Sequence, residues 1–289
     1  MAKTLGLFAK YGLAADIVHI RGAGVNIAAL MAGEIGMAVA SGSFAIVAAA
    51  RGAPIVIVAT TGPIKYDLVS ASIASPSQLK GKIVGISGYT SGDFFVLQRL
   101  LPRLGLTPDR DVTLLPVGST SSYERMQVMA AGKVDAVMAI KANVERVRAQ
   151  GMRLNVVASS ADHGLDGSSG DFFVTRDFLK SHRSQIKAAL KAVSEAIRLG
   201  RDSPELFHSA VRSVMKETNP KVIDAFYRNN YFFGTEYHGA RPLTAALDSD
   251  IRDFSATVPE LRGRKASEFI DTTVVAELEE EGFFRSRKR

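Results

Sequence analysis

The sequence predicts an α/β fold with two lobes and a helical C-terminal tail, and three observations support this prediction. Short apolar, strand-like runs alternate with helical patterns over residues 1–61. The same alternation restarts at residue 82 after a turn-rich joint, and only helical patterns follow residue 178. Strands that alternate with helices over short connections are typical of parallel sheets with helices on their faces.

The first run of alternating elements begins with a short helix over residues 3–11, which Gly12 ends as a C-terminal cap. Strands and helices then follow from the period of the apolar residues. The predicted strands are "ADIVHI", "GMAVAS" and "PIVIVATT", and the predicted helices are "GVNIAALMAGEI" and "SFAIVAAARG".

The second run has the same composition, and glycines close its helices. The predicted strands are "KIVGIS", "DVTLLPV", "VDAVMA" and "LNVVASS". Helices are predicted over 91–104, 121–131 and 142–150, which end at Gly105, Gly132 and Gly151. In the tail, Ser203 and Asn219 each precede a proline, as N-cap residues do before a helix.

Two extended stretches, 66–73 and 170–177, bracket the second run. If both cross between lobes, the first lobe is 1–73 with 171–289, and the second lobe is 74–170. Two lobes joined in this way leave a cleft between them, and clefts of this kind are common ligand sites. The crossing stretches would then act as the hinge for closure.

Composition excludes several classes of function. The chain has no cysteine, so disulfides, thiolate metal sites and cysteine nucleophiles are absent. The net charge is +7, but much of the excess lies in the terminal "FRSRKR", and no basic stripe with interleaved aromatics predicts nucleic-acid binding. No segment reaches the ~18 uninterrupted apolar residues of a membrane span. Met1 leads directly into "AKTLGLFAKYGL", which lacks the pattern of a signal peptide.

Five stretches, taken in order, resemble the solute-binding proteins of ABC importers, in the group that binds nitrate, sulfonates, taurine and thiamine precursors. They are "AKTLGLFAKYGLAADIVHIRG", "ALMAGEIGMAVASGSFAIVAAARGAPIVIVAT", "SPSQLKGKIVGISGYTSGDFF", "MQVMAAGKVDAVMA" and "EFIDTTVVAEL". The resemblance implies a type II periplasmic-binding-protein fold and a monomer without enzymatic activity or cofactor. It also implies a small, anionic ligand, delivery to an ABC permease, and a periplasmic or lipid-anchored location.

The chain departs from this family at its start. Members normally carry a signal peptide, a first strand and a ligand-contacting loop before the "GLF" helix, and this sequence begins inside that helix. Because a missing central strand would leave backbone groups unpaired, we expect the sequence to be a truncated form of an exported protein.

The glycine turn after "KIVGIS" is the first candidate site. Gly85, Gly88 and Gly92 do not have the spacing of dinucleotide or P-loop motifs, so a nucleotide loop is not predicted. Two interpretations remain. In the first interpretation, Thr90 or Ser91 only caps a helix. In the second, the backbone amides of the turn also bind an anionic ligand. Under the second interpretation, the ligand contacts are Gly88, Tyr89, Thr90 and Ser91, and Asp93 would oppose an anion unless it points away.

The matching turn of the first lobe is "ASGSFAI", where Ser41, Gly42 and Ser43 either cap a helix or contact the ligand. Lys141 follows a strand and is a candidate to neutralise an anion. Ser169 precedes the second crossing stretch and is another candidate. Weaker candidates are Ser168 beside it, Arg21 at a strand end, and Tyr66, which like Tyr89 has a ring that can stack on a ligand.

Two other functions share this scaffold. An enzyme similar to thiamine-pyrimidine synthases would need a pyridoxal phosphate lysine and a cysteine-rich segment, and the chain has no cysteine. A cytosolic metabolite sensor would agree with the missing signal peptide. The five histidines show no metal-ligand spacing, and no nucleophile-elbow motif occurs.

Overall fold

A computed structural model describes residues 1–20, 23–89, 91–119, 121–165, 167–168, 170–229 and 240–284. The strands in chain order are β1 (Ala38–Ala40), β2 (Ile55–Thr60), β3 (Pro63–Ile64), β4 (Asp67–Ser70), β5 (Lys82–Ile86), β6 (Val112–Pro116), β7 (Ala136–Ala139), β8 (Asn155–Ser159), β9 (Gly167–Ser168) and β10 (Asp171–Thr175). The helices are α1 (Leu7–Lys10), α2 (Ala23–Met31), α3 (Gly42–Ala50), α4 (Gly92–Arg103), α5 (Ser122–Ala130), α6 (Lys141–Ala149), α7 (Arg176–Ser181), α8 (Arg183–Asp202), α9 (Pro204–Met215), α10 (Pro220–Arg228), α11 (Thr244–Phe254) and α12 (Thr273–Glu280).

The chain divides into two units. Unit 1 contains Met1–Pro63, Ser168–Ala210 and the described residues 240–284. Unit 2 contains Ile64–Gly167 and the described residues 211–229. The short strands β3 and β9, where the chain passes from one unit to the other, pair as a two-stranded sheet. The cleft that the sequence predicts between the lobes stays a prediction.

Unit 1 is built on a sheet with the strand order β1-β10-β2. The strand β10 is antiparallel to both neighbours, so β1 and β2 run in the same direction. Every residue of β2 is buried, because α3 and α12 both pack against it. A continuous apolar run such as "IVIVA" is typical of a strand covered on both faces.

Unit 2 is built on a five-stranded sheet with the order β6-β5-β7-β4-β8. The strand β5 is parallel to β6 and β7, whereas β4 is antiparallel to β7 and β8. Successive side chains of β4 enter different cores, since Leu68 packs with α4 residues such as Leu97, and Val69 packs with α5 and α6 residues such as Met126 and Val147. This alternation is the two-residue period of a strand with helices on both faces.

The structure moves the predicted lobe boundaries. Residues 64–73 belong to unit 2, because β4 is an internal strand of its sheet. Residues 211–229 also belong to unit 2, because α10 packs against α6. The change of unit at residue 210 falls inside α9. The extended stretch predicted over 170–177 ends earlier, because Thr175 caps α7 by accepting a hydrogen bond from the Phe178 amide.

One other element prediction was wrong. Residues 13–20, with the predicted strand "ADIVHI", lie outside any strand. An extended segment becomes a strand only when it exchanges backbone hydrogen bonds with a neighbouring strand. Residues 13–20 do not take part in any of the described strand pairs. Within the two sheets, which were predicted to be mainly parallel, the strands β10 and β4 each run against their neighbours.

A buried carboxylate attaches the N-terminal helix to unit 1. Glu195 of α8 is 6% exposed and accepts hydrogen bonds from Lys10 Nζ at 2.7 Å and Tyr11 Oη at 2.8 Å. Burial is the largest single effect and would raise the pKa of Glu195, but the hydrogen bonds from Lys10 and Tyr11 and the charges of Lys10 and Arg198 together outweigh it, so this pKa lies below its ordinary value of 4.5. Burial and the same contact raise the pKa of Tyr11 to about 12.

Glu195→Gln is therefore expected to destabilise the protein by about 1.5–3 kcal/mol at pH 7, the range for hydrogen bonds to charged groups. Because the pKa of Glu195 is lowered on folding, its stabilisation is present above pH 4.5 and is lost as the pH falls through the lower folded value. Urea unfolding at pH 7 and at about pH 3.5 measures both effects. Glu205→Gln on the exposed surface is the control. If the wild type and Glu195→Gln differed in unfolding free energy by the same amount at both pH values, the prediction would be contradicted.

Of the helices in the described residues, none is both long enough and apolar enough to cross a bilayer.

Candidate functional site

The unit 1 turn joins β1 to α3, as the sequence predicts. Ser41 is the N-cap residue with extended backbone, but its side chain does not cap the helix. Its Oγ lies 3.1 Å from Ser43 Oγ. The amide of Gly42 instead donates to Asp171 Oδ2 at 2.7 Å, so a carboxylate from β10 occupies the start of α3.

The donors of this turn are used inside unit 1. Ser43 is 2% exposed, and its hydroxyl donates to Asp250 Oδ2 at 2.6 Å. Asp171 and Asp250 are both buried and place carboxyl oxygens at the helix N-terminus, where the helix dipole favours negative charge. A Cβ on residue 42 would lie 2.8 Å from Asp171 Oδ2, which explains the glycine. Ligand contacts of Ser41, Gly42 and Ser43 stay a prediction.

The unit 2 turn, of which the structure describes residues 87–89 and 91, joins β5 to α4. The hydroxyl of Ser91 donates to the Gly88 carbonyl at 2.6 Å and the Ser91 amide donates to the same carbonyl at 3.1 Å, which closes the turn. Ser91 is the N-cap residue of α4 without a side-chain cap. Tyr89 is 54% exposed, with its hydroxyl on the Leu114 carbonyl at 3.2 Å and its ring edge-to-face with Phe94. The ring of Tyr89 therefore has surface available for stacking.

Asp93 points into unit 2. Its Oδ2 accepts a hydrogen bond from the Ser87 amide at 3.0 Å and lies 3.6 Å from an Nη atom of Arg125. Both side chains are almost fully buried. The negative charge of Asp93 is therefore balanced inside the unit, and it opposes an anion at the turn far less than an unpaired carboxylate would.

Arg125 is the functional candidate that the sequence analysis missed. It lies on α5, is 1% exposed, and contacts the turn that follows β5. A signal was available, because Ser122, Arg125, Met126 and Met129 have the spacing of one helical face, and all four are buried. A charged residue on a buried face has a partner in most proteins.

Lys141 is the first residue of α6, directly beyond β7, and is exposed. It belongs to the same sheet edge as the unit 2 turn, because β5 and β7 are parallel. Asp67 of β4 lies at the same sheet edge, opposite Ala139 at the end of β7. Burial raises the pKa of the Asp67 carboxyl, while a hydrogen bond from Ser159 and the charge of Lys141 act in the opposite direction.

The remaining candidates differ in position. Tyr66 is 7% exposed and belongs to the apolar core of unit 2, which leaves little of its ring for a ligand. The backbone of Ser168 lies in β9. Arg21, Thr90 and Ser169 lie outside the described residues. Within the described residues, no group of three histidine, aspartate or glutamate side chains is arranged to hold a metal ion.

A family model described as "NMT1/THI5 like" matches residues 1–206 of the chain. The chain belongs to the NMT1/THI5-like family. No curated protein sequence matches it by sequence similarity. Membership agrees with the resemblance that the sequence motifs indicated.

Solved structures share the fold of this NMT1/THI5-like protein. The alkanesulfonate-binding protein SsuA from Xanthomonas axonopodis pv. citri, bound to MOPS, has a TM-score of 0.72 and 19% identity, over 94% of this chain and 93% of that chain. The periplasmic aliphatic sulphonate binding protein SsuA from Escherichia coli has a TM-score of 0.68 and 21% identity, over 91% and 86%. The desulfurization enzyme DszB has a TM-score of 0.66 and 14% identity, over 97% and 95%.

The predicted two-lobed periplasmic-binding-protein fold and the resemblance to the solute-binding group are confirmed by these matches. At such low identities the structures establish the fold. Binding proteins and an enzyme both use it, so the fold alone does not separate the two kinds of function.

Proposed function

We propose that this NMT1/THI5-like protein is a non-catalytic solute-binding protein of an ABC import system that captures a small organic anion. It acts outside the cytoplasmic membrane as a monomer and delivers the anion to a membrane permease. The observation that carries the proposal is the unit 2 turn, where a helix begins directly beyond a parallel strand and the carboxylate in its first turn, Asp93, is paired with Arg125.

The chemistry of the turn supports an anion. The α4 helix has twelve residues and begins at Gly92, and the N-terminus of a helix attracts negative charge through its amides and its dipole. Lys141 adds an exposed positive charge at the same sheet edge. The exposed ring of Tyr89 can cover an apolar part of the ligand. Gly88, Tyr89, Ser91 and Lys141 are the proposed ligand contacts of unit 2.

Sulfonates are the first class of anion to test. Two proteins with the same fold are described as binding alkanesulfonates or aliphatic sulphonates, and one of them holds MOPS. A sulfonate presents three oxygens to the amides of a helix N-terminus, and a carboxylate presents two. Nitrate and aromatic carboxylates remain members of the proposed ligand class.

Isothermal titration tests the proposal directly. The panel contains MOPS, ethanesulfonate, taurine, nitrate, benzoate and a pyrimidine. At least one anion is expected to bind with a dissociation constant in the micromolar range or tighter, and the uncharged pyrimidine is expected to bind more weakly. If a folded chain that includes any upstream residues of the natural protein binds none of these compounds, the solute-binding proposal is wrong.

Gly88→Ala tests whether the unit 2 turn contacts the ligand. A Cβ at residue 88 meets no atom within 4 Å, so the unfolding free energy is expected to stay within about 0.5 kcal/mol of the wild type. The added methyl group would occupy ligand space, and affinity for the tightest-binding anion is expected to fall about tenfold, or 1.4 kcal/mol. Gly24→Ala, where the added Cβ also meets no atom within 4 Å, is the matched control. Equal affinity in all three proteins would place the ligand elsewhere.

A further inference from the structure

Arg125 connects three separate parts of unit 2. Its Nη1 donates to Ser87 Oγ at 2.5 Å and to the Ser119 carbonyl at 3.1 Å. Its Nη2 donates to the Met138 carbonyl at 2.8 Å. The side chain is 2% exposed, and Asp93 lies 3.6 Å away as the counter-charge. A guanidinium group is suited to this arrangement because its donors form a rigid, planar fork.

The three contacts lie at one edge of the sheet. Ser87 directly follows β5, and Ser119 lies in the turn that follows β6. Met138 lies in β7, close to its end, and β7 leads to Lys141 at the start of α6. Because β5 is parallel to β6 and β7, the carboxyl ends of all three strands meet at this edge. Ligands of open α/β sheets bind at such edges.

Ser87 is held at two points. Its amide donates to Asp93 and its hydroxyl accepts from Arg125. The next residue is Gly88, whose carbonyl accepts both hydrogen bonds that close the turn to Ser91. The Arg125–Asp93 pair therefore determines how the chain enters the proposed anion-binding turn.

We propose that Arg125 is a positioning residue for ligand binding: it holds the turns after β5 and β6 and the end of β7 together as one preorganised surface and does not touch the ligand. The inference rests on the proposed function of the unit 2 turn. Because Asp93 balances the charge of Arg125, the contribution of the arginine comes from geometry. Ordering before binding improves affinity, because the turns then lose less conformational freedom when the ligand binds.

Arg125→Lys is the decisive variant, since it keeps the charge and removes the fork. One ammonium group cannot hold Ser87, Ser119 and Met138 in the same geometry. We expect the dissociation constant for MOPS to rise at least tenfold, and amide hydrogen exchange at residues 87–89 to become at least tenfold faster. Arg110→Lys, at a side chain that is 74% exposed, is the matched control and is expected to change both quantities less than twofold.

A second variant keeps the test valid if Arg125→Lys does not fold. Asp93→Asn with Arg125→Gln removes both buried charges and retains hydrogen-bonding groups, and the same losses are expected. A folded variant with wild-type affinity for MOPS and wild-type exchange overturns the inference. A variant with a lower melting temperature but unchanged affinity for MOPS and unchanged exchange also overturns the inference, because that result indicates a purely structural role.

The inference and the proposed function can fail separately. If the wild type binds no member of the anion panel, the proposed function fails, and with it the ligand-binding role of Arg125. Exchange at residues 87–89 in Arg125→Lys still decides the ordering role: faster exchange supports it, and unchanged exchange overturns it. If the wild type binds MOPS and Arg125→Lys binds it equally well, the inference alone fails.

Discussion

Asp93→Ala is expected to lower the free energy of unfolding by about 3–5 kcal/mol, the cost of leaving one member of a buried ion pair without its partner. Arg125 is 1% exposed and would lose its counter-charge. The Ser87 amide would lose its acceptor at the same time. Urea unfolding at pH 7 measures the change.

Three further variants separate these contributions. Asp93→Asn keeps an acceptor for the Ser87 amide and is expected to cost less than the alanine. Asp93→Ala with Arg125→Met removes both charges and is expected to recover part of the loss. Asp162→Ala, at an exposed position of the same unit, should change the unfolding free energy by no more than about 0.5 kcal/mol. If Asp93→Ala resembled Asp162→Ala, the buried pair would not contribute as described.

Ile223→Ala should destabilise the protein by about 2–5 kcal/mol, the range for large-to-alanine changes at buried sites. Ile223 is fully buried on α10, and α10 packs against α6 of unit 2. The loss is expected to be local to unit 2. Amide exchange in α6 should become faster, whereas exchange in α8 of unit 1 should stay unchanged.

Lys221→Ala is the control for this variant, because Lys221 is exposed on the same helix. Its backbone amide still donates to Asn219, so the helix cap is retained. Faster exchange in α8 with no change in α6 would contradict the assignment of residues 211–229 to unit 2.

Most elements of unit 2 could be predicted from the sequence, because the signals that define them are local. The run "KIVGIS" became β5 (Lys82–Ile86), and the helix predicted over 91–104 became α4 (Gly92–Arg103). Apolar period, N-cap residues and closing glycines act within a few residues of one another. The strand predicted over residues 15–20 was wrong because a strand also needs a partner, which no local pattern provides.

The site was harder to predict for the same reason. The turns around Ser41 and Ser91 could be located, since each stands between a strand and a helix. The residues that form hydrogen bonds with those turns could not be predicted. Asp171 reaches the amide of Gly42 across 129 positions of sequence, and this contact gives the start of α3 an internal carboxylate.

Asp93 shows most clearly where local pattern ends and tertiary packing begins. The residues themselves exclude a nucleotide loop, disulfides and thiolate chemistry, because glycine spacing and cysteine content need no folded structure to be read. The direction of the Asp93 carboxylate depends on Arg125, which belongs to a different helix and reaches Asp93 only when the sheet of unit 2 has formed. Burial of that pair, a property of the packed unit, keeps the Asp93 charge from opposing an anion at the turn, as the proposed function requires.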